Sequence, residues 1–309
     1  MLLKKIMLAC LLLGTALWAQ GDLRIYSIAN DPKSDLPQRV AKALENNGFT
    51  IAANTEMTKP FSIQFQQSDY DVFYLLTAFH TELSRKLVVK YPDAGVFVPM
   101  GFGIYQHKGD KQLHVSVLTA EAQAKIIGLK SVDPLLTAIE AAGKKALEEA
   151  MPKATVAIEN DNPLPAKGPL VSTYRMEVDN DDYDDAKDEL VMGIQGGLSP
   201  KGFVLSNTLD FDMVISEDES VQDPFDFYDT YSICKLKVIY TAAKTRPQAS
   251  AFAPCTMMLY KKKGDPNIVI GFPGVYNWMS SARVEDPAAD AELMKAQHDF
   301  ESLLSDLTE

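Results

Sequence analysis

Cysteine is the residue type here whose chemistry is easiest to name. The chain has three cysteines, Cys10, Cys234 and Cys255. Cys10 lies in a leader, so Cys234 and Cys255 remain as a pair in the C-terminal half. Cys234, in SICKL, is expected at the end of a strand and the start of a helix, where backbone N–H groups favour a thiolate. Lys235 and Lys237 would add to that effect. Cys255, in FAPC, opens the next strand. Three outcomes stay open: a structural disulfide, a redox or soft-metal (copper or zinc) site, or two separate buried thiols acting as small hydrophobes. A second, weaker constellation is His80 with Met100, a soft donor pair suited to copper. Set against it is the ordinary surface histidine. His107, His114 and His298 carry less: a tight turn at Gly109 pairs His114 with Tyr105 instead of His107. The aromatic residues Tyr105, Tyr260 and Trp278 are candidates to line a ligand pocket together with Met100 and His80; the simpler alternative is that the tyrosines cover a sheet.

The familiar catalytic patterns are missing. The chain has no Gly-x-Ser-x-Gly, no Gly-x-x-x-x-Gly-Lys, no His-Glu-x-x-His and no Cys-x-x-Cys. Gly101 and Gly103 begin a dinucleotide-like pattern that lacks its third glycine. No catalytic residue is assigned, no cofactor is required, and an enzyme is the less favoured reading. The formal charge of −12 disfavours nucleic acid and anionic lipid as partners. Acidity is concentrated in Glu177–Glu189 and Ser216–Ser220, neither with the spacing of a calcium loop, so a solvated surface is expected.

The start of the chain reads as a leader. MLLKK is followed by IMLACLLLGTALWA, an apolar run too short to span a bilayer comfortably, then small and polar residues. We expect a signal peptide over residues 1–19, cut near Ala16 or Ala19, and hence a periplasmic or secreted protein with no membrane segment after cleavage. Loss of Lys4 and Lys5 takes the formal charge to −14.

The elements that must position these residues occur twice. FVPMGFGIYQHKGDKQLHVSV (97–117) aligns without a gap on FAPCTMMLYKKKGDPNIVIGF (252–272). Phe97/Phe252, Pro99/Pro254, Tyr105/Tyr260, Lys108/Lys263, Gly109/Gly264 and Asp110/Asp265 are identical at a spacing of 155. Asp71/Asp226 and Pro92/Pro247 keep it; Gly48/Gly202 and Pro134/Pro287 follow at 154 and 153. A period this long marks a duplicated domain. The expected division is residues 22–151 and 170–309, joined by a linker over 152–169.

Each copy predicts β-α-β-β-α-β-β-α. Strands fall at 23–29 and from Phe49, Phe203 and 71–78, and a hairpin joins 97–106 to 111–117. Helices fall at 35–46, 81–91, 235–245, 133–149 and 286–305, with Gly48 and Gly202 as left-handed caps. This is an antiparallel sheet with helices on one face, the α+β class.

A Gly-Phe after the first helix, a strand ending in Cys, a short helix and a Pro-Cys strand with a glycine turn resemble the domain-of-unknown-function 302 family. The family's two cysteine positions match Cys234 and Cys255 in the second copy, and Phe79 and Met100 in the first. Cys234 is followed by Lys-Leu where the family has Asn-Pro. The resemblance implies a compact, TATA-binding-protein-like α+β fold and self-association, which two tandem copies would satisfy internally as a pseudo-dimer. It implies no activity. The expectation is a non-catalytic exported module that binds a small ligand or a partner protein. The alternative is a thiol redox or soft-metal protein built on Cys234 and Cys255.

Overall fold

The computed structural model describes residues 21–31, 35–159, 163–179 and 182–309. The expected signal peptide lies outside the described residues. Among the described residues no helix is long and apolar enough to cross a membrane.

The first half runs β1 (Leu23–Ala29), α1 (Leu36–Asn46), β2 (Phe49–Glu56), α2 (Thr58–Phe65), β3 (Tyr70–His80) and α3 (Thr81–Lys90). A 3-10 segment (Pro92–Phe97), β4 (Met100–His107), β5 (Gln112–Leu118), α4 (Ala120–Ile126), α5 (Pro134–Ala150) and β6 (Thr155–Glu159) follow. The second half runs β7 (Val171–Glu177), α6 (Tyr183–Leu198), β8 (Val204–Asp210), α7 (Phe211–Ser216), β9 (Phe225–Cys234) and α8 (Leu236–Ala243). It ends with a 3-10 segment (Pro247–Phe252), β10 (Cys255–Lys262), β11 (Asn267–Pro273), α9 (Tyr276–Ser280) and α10 (Pro287–Thr308). The fold is α+β, with antiparallel sheets and helices packed on one face. Strand order is β2-β3-β4-β5-β1-β6 in one sheet and β8-β9-β10-β11-β7 in the other.

Local sequence explains most boundaries. Helix α1 buries Leu36, Val40, Ala43 and Leu44, and the chain turns at Gly48, whose φ is +87°. Gly202, at φ +77°, does the same before β8. Asp133 and Asp286 cap α5 and α10 through their side chains, each with proline in the first turn. The hairpin strand expected from 97 begins instead at Met100, because Pro92–Phe97 is wound into a 3-10 turn. The segment 152–169, expected as a linker, contributes β6, which pairs with β1 in the register Leu23↔Glu159 to Ser27↔Thr155. The short helices α2, α4, α7 and α9 are additions to the expected pattern.

The face of each sheet left free by its helices is covered by the other half. The segment Pro92–Phe97 packs on β10 and β11, and Pro247–Phe252 packs on β4, β5 and β1. Side-chain size is exchanged at the two crossings. At one, Ser250 meets Gly103, where an added Cβ would lie 1.8 Å from Ser250 Oγ. At the other, Gly95 and Met258 stand at the corresponding positions, and a Cβ on Gly95 would lie 1.9 Å from Tyr228 Oη. The flanking helices repeat the exchange. Arg85 of α3 reaches α7, with Nη2 3.2 Å from Glu217 and Nη1 3.3 Å from Asp218. Its counterpart Tyr240 of α8 stacks on Phe65 of α2 at 4.1 Å. Reciprocal contacts of this kind are what a twofold pairing of like units produces.

Candidate functional site

Antiparallel pairing places Cys255 opposite Ile233, so Cys234 is its diagonal neighbour at the ends of β9 and β10. Both sulfurs are unbonded. They line one cavity of about 60 Å³ between the sheet, α8 and α10. A water needs roughly 10–15 Å³ of such space, so the cavity admits a few small atoms or the tip of a larger molecule. Met257 and Phe272 come from the sheet, Leu293 and Phe300 from α10. Phe300 packs edge-on against Phe272 with ring centroids 4.7 Å apart.

Helix α9 brings in Trp278, which is 3% exposed and lines the same cavity. Its indole lies beside Cys255 and works against the rise of that thiol's pKa. Cys255 in turn donates its S–H to the carbonyl of Phe252, 3.7 Å away. The rest of the lining is almost wholly apolar.

Burial pushes the Cys234 thiol up to about 11 and Cys255 up to about 12. Both are neutral thiols at physiological pH, so the expected thiolate at Cys234 does not form. The physical reason lies in the neighbouring lysines. Lys235 Nζ turns to Asp299 at 2.9 Å and sits 4.8 Å over the Phe203 ring. Lys237 pairs with Glu292 at 2.5 Å. Their charge is spent on carboxylates, and desolvation dominates at the sulfurs.

The other candidates are dispersed. Tyr105 and Tyr260 are both 5% exposed and lie in the contact between halves. Tyr260 stacks on Tyr228 at 5.3 Å, and Tyr105 on His114 at 5.2 Å, in the register expected for that hairpin. They cover the sheet and do not enter the cysteine pocket. His80 caps α3, its Nδ1 accepting from the Leu83 N–H at 3.3 Å, with its ring edge-on to Phe49. Burial lowers its pKa. Met100 faces a separate recess of about 10 Å³ shared with Phe49 and Phe102. His80 does not line that recess, so the two do not share a pocket as expected. Among the described residues no group of three or more His, Cys, Asp or Glu side chains is arranged to hold a metal ion.

The two recesses are equivalent. Met100 corresponds to Cys255, Phe49 to Phe203 and Phe102 to Met257, and both recesses lie between the sheet and the last long helix. In the first half an ion pair, Arg24 to Glu140 at 2.8 Å, joins strand and helix beside the recess. In the second, Ser172 takes the place of Arg24, and Gln297 donates to Ser172 at 3.1 Å and to Glu301 at 2.7 Å. Sequence reasoning singled out Trp278 but not the helix that carries it; the run Tyr276-Asn277-Trp278-Met279 is too short for helical periodicity to register.

No protein-family model matches this chain, and no curated protein does. Among solved structures, one similar chain is described as the crystal structure of an uncharacterised conserved protein of the domain-of-unknown-function 302 family, from Bacillus stearothermophilus. It is 14% identical, with a TM-score of 0.37 over 46% of this chain and all of that one. A likeness at that level carries no functional weight.

Proposed function

We propose that this protein is a non-catalytic, exported binding module. In this reading the recess of the second half takes a small apolar molecule, or the apolar end of a larger one. The observation that carries the reading is a single one: of two equivalent recesses, only the second is open, and its lining is apolar apart from two neutral thiols, the Trp278 indole and the side chains of Lys235 and Gln297, which are bonded to Asp299 and to Ser172 and Glu301. That composition is typical of ligand sites, in which a few polar groups orient an otherwise apolar guest. Export rests on the sequence of residues 1–19.

A second reading, a soft-metal site, is favoured by one observation, that both sulfurs line the same recess. The raised pKa values oppose a redox thiolate. A metal would have to displace both protons on binding.

Trp278 makes the test direct. Only Trp18 and Trp278 are present, so Trp18→Phe leaves one reporter. Xenon, a small apolar heavy-atom quencher, should quench Trp278 fluorescence saturably, and Cys255→Phe should abolish the effect. Equal quenching in both proteins, or none, overturns the reading. Retention of one equivalent of Cu(I) against a chelator, lost in Cys234→Ala, would favour the metal reading instead.

A further inference from the structure

In the first half the outer edge of β1 is covered by β6; the equivalent edge in the second half, that of β7, has no strand on it among the described residues. The hydrogen-bond register identifies the groups left open. Gly274 N–H donates to Leu170 O at 2.9 Å and Val178 N–H donates to Pro266 O at 2.8 Å. Even-numbered residues of β7 therefore bond inward to β11. The N–H and C=O groups of Val171, Thr173, Arg175 and Glu177 point outward. Thr173, Arg175 and Glu177 are also exposed. An edge of this kind is a template for another strand.

A groove of about 450 Å³ lies at the C-terminal end of the same strand, between β7, α6 and α10. Val178, Leu190 and Leu307 form its apolar part; Asp182, Glu189 and Asp306 supply carboxylates, and no lysine or arginine lines it. Arg175, the one cation on the strand, lies on the opposite face, where its charge acts on Asp93 of the first half. A metal ion is a poor occupant, since the described residues hold no metal-ligating cluster. A second copy is a poor one too, because it would bring two such carboxylate groups together in a chain of formal charge −12.

We infer that the β7 edge and its groove dock an extended, cationic segment of a partner protein, added as an antiparallel or parallel sixth strand. Backbone groups would pair with 171, 173, 175 and 177, apolar side chains would rest on Val178, Leu190 and Leu307, and lysines or arginines would meet the carboxylates. The covering strand of the first half indicates how little such a strand must bury: the first four of its five residues are exposed.

The probe is a fluorescein-labelled ten-residue peptide of alternating lysine and valine, with alternating glutamate and valine as control, titrated into the full chain. The lysine peptide should raise anisotropy saturably and bind at least tenfold more weakly at 500 mM than at 50 mM salt. The glutamate peptide should not bind. Amide exchange should slow at 171, 173, 175 and 177 on addition of peptide and stay unchanged at 172, 174 and 176. Glu189→Lys with Asp306→Lys should weaken binding at least tenfold. Binding without protection of the outward amides overturns the inference. So does a free protein in which those amides are already slow and sedimentation gives a dimer, which would assign the edge to a second copy. Absence of binding at millimolar peptide also overturns it.

Discussion

Position 255 holds a cysteine where its counterpart, position 100, holds a methionine. Position 261 holds a lysine where position 106 holds glutamine. The halves share strand order, glycine caps and the reciprocal docking of their 3-10 segments, yet their helix-side cores are built differently. The first is closed: its recess measures about 10 Å³ and is braced by Arg24–Glu140. The second combines an open recess of about 60 Å³ with a buried ammonium. Of two halves with like topology, one can keep the frame rigid while the other carries an opening that a tightly packed core would not tolerate.

The sharpest way to break this comparison is at the buried ammonium. Lys261 is 1% exposed, and its Nζ lies 2.7 Å from Asp226 and 5.0 Å over the Tyr183 ring. Removing the partner charge leaves an uncompensated buried cation. Asp226→Asn is therefore expected to cost about 3–5 kcal/mol. The counterpart Asp71 is exposed, and Gln106, which stands where Lys261 does, bonds instead to Asn30 and the Asp110 carbonyl, so Asp71→Asn should fall within about 0.5 kcal/mol of the parent. Urea unfolding of the two variants is the check. Equal losses would mean that the halves do not differ here.

The contact between halves is next in size. Gly103 admits Ser250 because it has no side chain, whereas at the reciprocal crossing the corresponding residues are Gly95 and Met258, and Gly95 makes room for Tyr228. Gly103→Met copies the second half into the first without the compensating Ser250→Gly. Overpacking of this sort costs about 1–3 kcal/mol. Adding Ser250→Gly should recover part of the loss, a coupling measurable by a double-mutant cycle. Purely additive effects would show that the two residues do not share one packing constraint.

Much of this was legible in the residues, for reasons that can be named. The hairpins were, because identical Lys-Gly-Asp turns sit between alternating apolar residues, and Gly109 and Gly264 do take positive φ, +83° and +77°. The capping glycines and the first-turn prolines were, because their backbone requirements are local. Helix α2 was not, since Pro60 and Ser62 interrupt its periodicity. Strand β6 was not: its residues are largely exposed, so it has no buried face to impose alternation. At the site, the proximity of Cys234 and Cys255 followed from strand adjacency. Their protonation state did not, because it depends on burial and on Asp299 and Glu292, each more than fifty residues beyond the lysine it draws off.

A smaller change tests the recess itself. Cys255→Met installs the first half's residue, and because the recess has room for it the cost should stay below about 1.5 kcal/mol. Xenon quenching of Trp278 should disappear at the same time. The reverse change, Met100→Cys, removes volume from a closed core and should destabilise by about 1–2 kcal/mol. A ranking in which Cys255→Met is the more damaging would contradict an open second recess.

The smallest expected effect concerns alkaline pH. Both thiols have folded-state pKa values raised above the ordinary value of 9.0, to about 11 and about 12. The folded protein therefore keeps two protons that the unfolded chain releases first. Their contribution is complete below pH 9 and is lost as pH rises through the folded values. By pH 10 each thiol should account for about 1 kcal/mol of lost stability. Buried tyrosines, whose own values are also raised from 10.0, begin to contribute in the same window, about 0.4 kcal/mol each by pH 10, and do so equally with and without Cys255. Between pH 8.5 and 10 the unfolding free energy should therefore fall by about 1 kcal/mol less in Cys255→Met, which keeps the frame and deletes one of the two thiol protons, than in the parent. A slope unchanged by that substitution would mean that Cys255 ionises as freely in the folded chain as in the unfolded one, and so that its sulfur is in contact with bulk water and not with an apolar recess.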